Sequence, residues 1–316
     1  MLVALVRRTV WSGAALTSAD GMGMCDFTGM DRSVLPGDDF YSYANGAWNR
    51  SAEIPRDRAA VGSLADLRGY SANLRVRDLL EQEHAQTASS ATSTQKAFSL
   101  YHAFMDAQTI EKLGDVPLRA ELQRLNQIKS KDELAASIGR SFLGFGSSLF
   151  NVDISYDDKD PKHYAVHLGQ GGLGLPSRDY YLEPQFAGAK QAYEAYVGEL
   201  LRLAGLPNAT GEAHAIVEFE TRVAEASWTH AKERDPVKTY NPEKLATLMR
   251  SSPDFPWHRF FAEAGLDNVA GVVVTTKTSV PRLAQIFAAT PLETLKAWQA
   301  FSTIDAAAPY LPNAYV

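Results

Sequence analysis

Residues 171–182 read Gly-Gly-Leu-Gly-Leu-Pro-Ser-Arg-Asp-Tyr-Tyr-Leu, and the rest of the chain is organised around them. Gly171, Gly172 and Gly174, followed by Pro176, exclude the interior of a helix or strand. Arg178, Asp179, Tyr180 and Tyr181 then place charge and ring surface on four consecutive positions. Tyrosines bury ring area while their hydroxyls seek partners, so the stretch predicts an ordered, packed loop. Upstream, 149–156 and 164–168 alternate apolar with polar residues, and Asp157-Asp158-Lys159-Asp160-Pro161 lies between them. That pattern predicts one β-hairpin at about 149–169, leading into Gly171. The local role of the loop is a connection out of the hairpin, and no chemistry follows from it alone.

Helical periodicity dominates on both sides. Phe40, Tyr43 and Ala44 share a face of a first turn that Asn45-Gly46 closes. A helix is expected from about Ala60 to Glu83, with Leu64, Leu67, Tyr70 and Leu74 as its stripe. Leu100, Tyr101, Phe104 and Met105 mark the next, read as a core face on which Phe104→Ala should cost about 3–5 kcal/mol. Pro117 begins another helix, and Ser130-x-x-Glu133 is a capping box opening one that carries Leu134, Ile138 and Phe142. Beyond the loop, Tyr193 to Ala204 is helical and Gly205 stops it. Thr210 caps a helix with stripe Ile216, Phe219, Val223 and Ala226, extending to His230. Asn241-Pro242 starts a further helix, 272–274 is a lone strand, and Ser279 and Thr290 cap two last helices. The fold class is therefore mainly α, a multi-helix lobe with one hairpin.

Composition is that of a globular chain: 316 residues, 45% hydrophobic and 22% charged. A net charge of −6 without a basic cluster argues against a nucleic-acid partner. No apolar run approaches the roughly 20 residues of a membrane span. Cys25, the single cysteine, excludes intrachain disulfides and cysteine-based zinc cages. Residues 1–30 read as a poorly ordered arm or leader: Arg7-Arg8 interrupts the apolar run of a secretory signal.

The search for chemistry returns mainly negatives. No His-Glu dipeptide occurs, so the helical His-Glu-x-x-His zinc motif is absent. A Gly-x-x-x-x-Gly-Lys-Ser/Thr phosphate loop and a Gly-x-Ser-x-Gly elbow are absent too. His163 and His167 stand four apart, but their neighbours alternate as in a strand. Four strand residues span ~13 Å, whereas zinc–nitrogen bonds are ~2 Å. His230 reads as a packing or capping residue, with Glu233, Arg234 and Asp235 in an ion network. Asp38-Asp39 and Asp157-Asp158 sit in turns, where Asp bonds backbone.

An ordered series of motifs adds a further reading. Pro36-Gly37-Asp38-Asp39-Phe40 through Asn45-Gly46-Ala47-Trp48, then Ile54-Pro55, then Gly62 to Arg68, come first. Tyr101-x-x-Phe104-Met105-Asp106 follows, then the 171–182 loop, then Trp228, Arg234-Asp235, Tyr240-Asn241-Pro242 and Trp257. From about Asp31 to the last residue this series resembles the N-terminal part of neprilysin-type zinc metallopeptidases. That family includes the endothelin-converting enzymes and the bacterial PepO-like oligopeptidases.

The resemblance implies a two-lobed zinc endopeptidase cutting small peptides in a closed chamber, with residues 31–316 as its helical non-catalytic lobe. The zinc helix, the Asn-Ala-x-Tyr substrate strand and a glutamate-bearing helix would all lie in a C-terminal catalytic domain absent here. No catalytic or metal-binding residue is assigned to this chain, and it is expected to bind no zinc alone. Vertebrate members carry an arginine two residues before the glycine of an Arg-Tyr-Gly step, which grips the substrate carboxylate. Ala60 stands there, which leaves Arg58 and Arg68 as candidate substrate contacts and favours plain endopeptidase action. By family resemblance the compartment is periplasmic or extracellular. The alternative is a non-catalytic helical module that binds peptides or proteins, and the end at Val316 on an apolar helix favours truncation over it.

Overall fold

The computed structural model describes residues 27–54, 61–62, 73–82 and 93–316. It divides into two compact units, one up to Ala107 and one from Gln108 onward. The first contains α1 (Phe40–Ser51), α2 (Val76–Gln82) and α3 (Ser93–Met105). Asp39 caps α1 by accepting the Ser42 N–H at 2.9 Å, which satisfies a donor that the helix itself leaves unpaired. The helix does not stop at Asn45-Gly46 as expected. It continues to Ser51, and Asp31 packs so closely on the buried Gly46 that a Cβ there would lie 2.7 Å from the Asp31 Cβ. Asp31 in turn pairs with Arg50 and Ser33, whose hydrogen bonds hold its carboxyl down to about 2.

A further expectation for this unit changes. The face on α3 is not core: Leu100 is 72% exposed and Met105 39%, while Tyr101 and Phe104 are half-buried. Periodicity reports a face that is apolar, and its burial depends on what lies opposite. Of the helix expected over 60–83, the stripe residues Leu64, Leu67 and Tyr70 lie outside the described residues.

The second unit is mainly α. After α4 (Ala107–Leu113) come α5 (Val116–Gln127) and α6 (Lys131–Arg140). Ser130 caps α6 through the Glu133 N–H at 3.2 Å, and Glu133 returns to accept the Lys129 N–H at 2.8 Å. That is the capping box, with its return bond shifted by one residue. The chain then forms β1 (Phe150–Asp157) and β2 (Asp160–Gln170), paired antiparallel from Phe150↔Gln170 to Asp157↔Asp160. The hairpin is present, slightly longer than its alternation indicated.

The helices that follow are α7 (Asp179–Leu182), α8 (Ala187–Leu203), α9 (Ala209–Ala226) and α10 (His230–Glu233). Asn208, in the left-handed region at φ 54°, precedes α9 in place of a Thr210 cap. The α9 stripe ends at Ala226 rather than running on to His230, because Ser227 turns extended. Next come β3 (Pro242–Lys244), α11 (Leu245–Ser251), α12 (Trp257–Glu263), β4 (Gly271–Val274), α13 (Val280–Ala289) and α14 (Leu292–Ala307).

Val272–Val274 is therefore not alone. It pairs parallel with β2 and antiparallel with β3, in the sheet order β1-β2-β4-β3. Pro242 opens an edge strand, where its missing N–H is tolerated, and the helix expected from Asn241-Pro242 begins only at Leu245. All three valines are buried, as befits a strand covered on both faces. Phe150 at the hairpin base joins Phe255 (4.8 Å between ring centroids) and Trp257 (4.5 Å), and Phe255 reaches Phe287 on α13 at 4.8 Å. This aromatic cluster fixes the sheet to the helices. Glu220, on α9, is buried as well.

Candidate functional site

The 171–182 loop is anchored on a buried carboxylate. Glu220 is 1% exposed and accepts three hydrogen bonds. Tyr181 Oη donates to its Oε2 at 2.7 Å; Tyr193 Oη and Trp298 Nε1 both donate to its Oε1 at 3.1 Å. The Tyr181 hydroxyl is also fully used as an acceptor, by the N–H groups of Gly174 (3.1 Å) and Leu175 (2.9 Å). One carboxylate thus reaches through one tyrosine to the loop backbone, and through Tyr193 and Trp298 to α8 and α14. Gly174 is required for this packing: a Cβ there would stand 1.9 Å from the Tyr193 hydroxyl.

Burial pushes Glu220 up from 4.5 to about 7, outweighing the three donors, which favour the charged form. Tyr181 and Tyr193 are raised far above their ordinary value, by burial first and by the Glu220 charge second. A carboxyl with that environment can exchange a proton, but tyrosine and indole donors occupy both its oxygens. Its role is to position the loop.

Above the loop lies a cleft of about 250 Å³, bordered by Asn151, Gly172, Arg178, Trp228, His230 and Glu233. Its floor is stitched by Gln170 at the end of β2. The Gln170 amide donates to the Trp228 carbonyl (3.1 Å) and to Glu233 Oε1 (2.8 Å), and its Oε1 accepts the Trp228 N–H at 2.6 Å. Trp228 Nε1 donates to Thr278 Oγ1 at 2.7 Å, and the Lys232 ammonium sits 3.7 Å from its ring centroid. Arg178 Nε donates to the Ala224 carbonyl at 3.1 Å, locking the loop to the end of α9. His230 lies 3.4 Å from Glu233, whose carboxyl burial raises. Sequence reading reached Arg178, Trp228, His230 and Glu233 separately. Gln170 it passed over, since a lone glutamine ending a strand carries no pattern.

Arg58 and Arg68, the candidate substrate contacts, lie outside the described residues. His163 and His167 sit on a strand, as their alternation indicated. His163 Nδ1 is 2.8 Å from Asp160 Oδ2, while His167 Nε2 is 3.3 Å from the Tyr156 carbonyl. The structure does not bring them together. Among the described residues no three His, Cys, Asp or Glu side chains converge as a metal site would require. No chemical step is assigned to a metal on the described residues. No helix among them is long and apolar enough to cross a membrane.

Comparison with known proteins gives the family. An endothelin-converting enzyme homolog of Locusta migratoria is 30% identical over 281 residues, covering 84% of this chain and 37% of the relative. Human endothelin-converting enzyme 1 is 30% identical, covering 73% of this chain and 31% of its own length. The crystal structure of the Mycobacterium tuberculosis zinc metalloprotease Zmp1 in complex with an inhibitor matches with a TM-score of 0.85 at 31% identity. It covers 92% of this chain and 45% of that one. PepO of Lactobacillus rhamnosis shares the fold, with a TM-score of 0.72 at 17% identity. The chain spans less than half the length of each of these proteins. The family profile of peptidase family M13 matches residues 36–316; with that span covered, the chain belongs to peptidase family M13.

Proposed function

We propose that this chain is the helical lobe of a zinc-dependent metalloendopeptidase, forming the wall of the chamber in which small peptides are held. The observation that supports this best is the likeness to Zmp1, in which nearly all of this chain matches under half of a longer zinc metalloprotease. On this reading residues 31–316 act as one lobe, and the zinc, with its activated water and carboxylate base, belongs to the part this chain does not span. The lobe contributes by confining and orienting the peptide, which can change rate without a catalytic group of its own. Arg58 and Arg68 contact substrate, and the compartment is periplasmic or extracellular.

The test is cleavage of a short fluorogenic peptide, by this chain alone and by the product of a reading frame continued past Val316. The expected result is no cleavage by the chain and chelator-sensitive cleavage by the longer product. Cleavage by the chain alone that a chelator abolishes refutes the division of labour. A longer product that stays inert with zinc supplied refutes the peptidase reading, and peptide binding without cleavage then makes the chain a binding module.

A further inference from the structure

The outer half of the hairpin exposes large apolar side chains. Strand alternation places Ile154, Tyr156 and Tyr164 on one face, with Tyr156 directly opposite Tyr164 and Ile154 opposite Val166. At the base this face belongs to the core, where Val166 and Leu168 are buried. Towards the tip it opens to solvent: Ile154 is 57% exposed, Tyr156 62% and Tyr164 81%. The opposite face carries Ser155, Asp157, Ala165 and His167, which are half-buried, and Asp153 and His163, which are exposed. Tyr240 donates to Asp157 Oδ1 at 2.8 Å, and the Lys159 ammonium lies 4.6 Å from the Tyr240 ring centroid. The tip is thus pinned from its polar side while its apolar side faces outward.

We propose that the Ile154, Tyr156 and Tyr164 face is the docking surface for the remaining part of the longer peptidase, the part this chain does not span. This rests on the lobe reading above. Two observations select that occupant. The chain covers only 45% of the Zmp1 chain it matches, so more than half of such a protein lies outside it. The patch is also small. Three side chains fall well short of the roughly 800 Å² per partner that a stable association between separate proteins needs. A covalently tethered domain needs far less, because the tether supplies a high effective concentration. Exposed aromatic side chains on a rigid support are the groups that anchor such contacts at low entropic cost.

Tyrosine nitration followed by peptide mapping tests this on the present chain and on the product continued past Val316. Tyr156 and Tyr164 should react readily in the chain and about tenfold more slowly in the longer protein, where reaction must await local opening. Tyr164→Ser should leave the melting temperature of the chain unchanged. In the longer protein it should speed limited proteolysis between the two parts and restore Tyr156 reactivity. Equal reactivity in both proteins overturns the docking surface while leaving the peptidase reading intact. Sedimentation showing a dimer of the chain that Tyr164→Ser dissolves makes a second copy the occupant and overturns the proposal. A continued frame that encodes no further domain overturns both readings.

Discussion

Replacing Glu220 by Gln tests the loop anchor through the pH dependence of stability. The carboxylate serves three donors, two on Oε1 and one on Oε2. A glutamine offers one acceptor oxygen. With that oxygen in the Oε1 position, the amide NH2 faces the Tyr181 hydroxyl, both of whose acceptor sites are taken by Gly174 and Leu175. The other orientation leaves Tyr193 and the Trp298 indole facing donors. At least one buried donor is unmatched either way, at a cost of about 1–3 kcal/mol. The charge acts in the opposite direction. An acid raised from 4.5 to about 7 binds its proton more tightly folded than unfolded. Its contribution is therefore fully present below 4.5 and is lost as pH rises to 7, about 3 kcal/mol over that interval. Glu220→Gln should thus be the less stable protein near pH 5, and the gap should close or reverse by pH 8. Urea unfolding followed by tryptophan fluorescence at several pH values gives the difference curve. Because other raised acids such as Glu212 and Glu233 are common to both proteins, they cancel in it. A gap of the same size at pH 5 and pH 8 would refute the assignment of the titrating proton to Glu220.

Further outcomes follow from the same geometry. Gly174→Ala drives a methyl group into the Tyr193 hydroxyl and should destabilise the fold by about 3 kcal/mol, measured by the urea midpoint; an unchanged midpoint would mean that the loop is loose. Ser130→Ala removes the α6 cap and should cost about 1 kcal/mol, with Ser130→Asp restoring most of it in the same assay. Phe104→Ala, on a half-buried position, should cost about 1–2 kcal/mol in this chain rather than the loss of a core phenylalanine; a drop beyond 3 would show that the α3 face is covered in solution.

Much of the fold was legible because local rules set it. The hairpin followed from period-two alternation, α6 from its capping box, and the ends of α5 and α8 from Pro117 and Gly205. The motif series from Pro36 to Trp257 carried the family, which the likeness along residues 36–316 bears out. Other features needed partners distant in sequence. Val272–Val274 became the middle of a sheet only when β2 and β3 arrived on either side, and three residues are too few to announce a pairing. Gly46 lies inside α1, with Asp31 packed against it. The α3 stripe is apolar by sequence, yet burial depends on an opposing surface that periodicity cannot supply. Nothing in the sequence singled out Glu220. Only the convergence of Tyr181, Tyr193 and Trp298, drawn from three separate helices, made it the anchor of the loop. Local propensity acts over a few residues, whereas burial and hydrogen-bond satisfaction are decided by groups that meet only after the chain has folded.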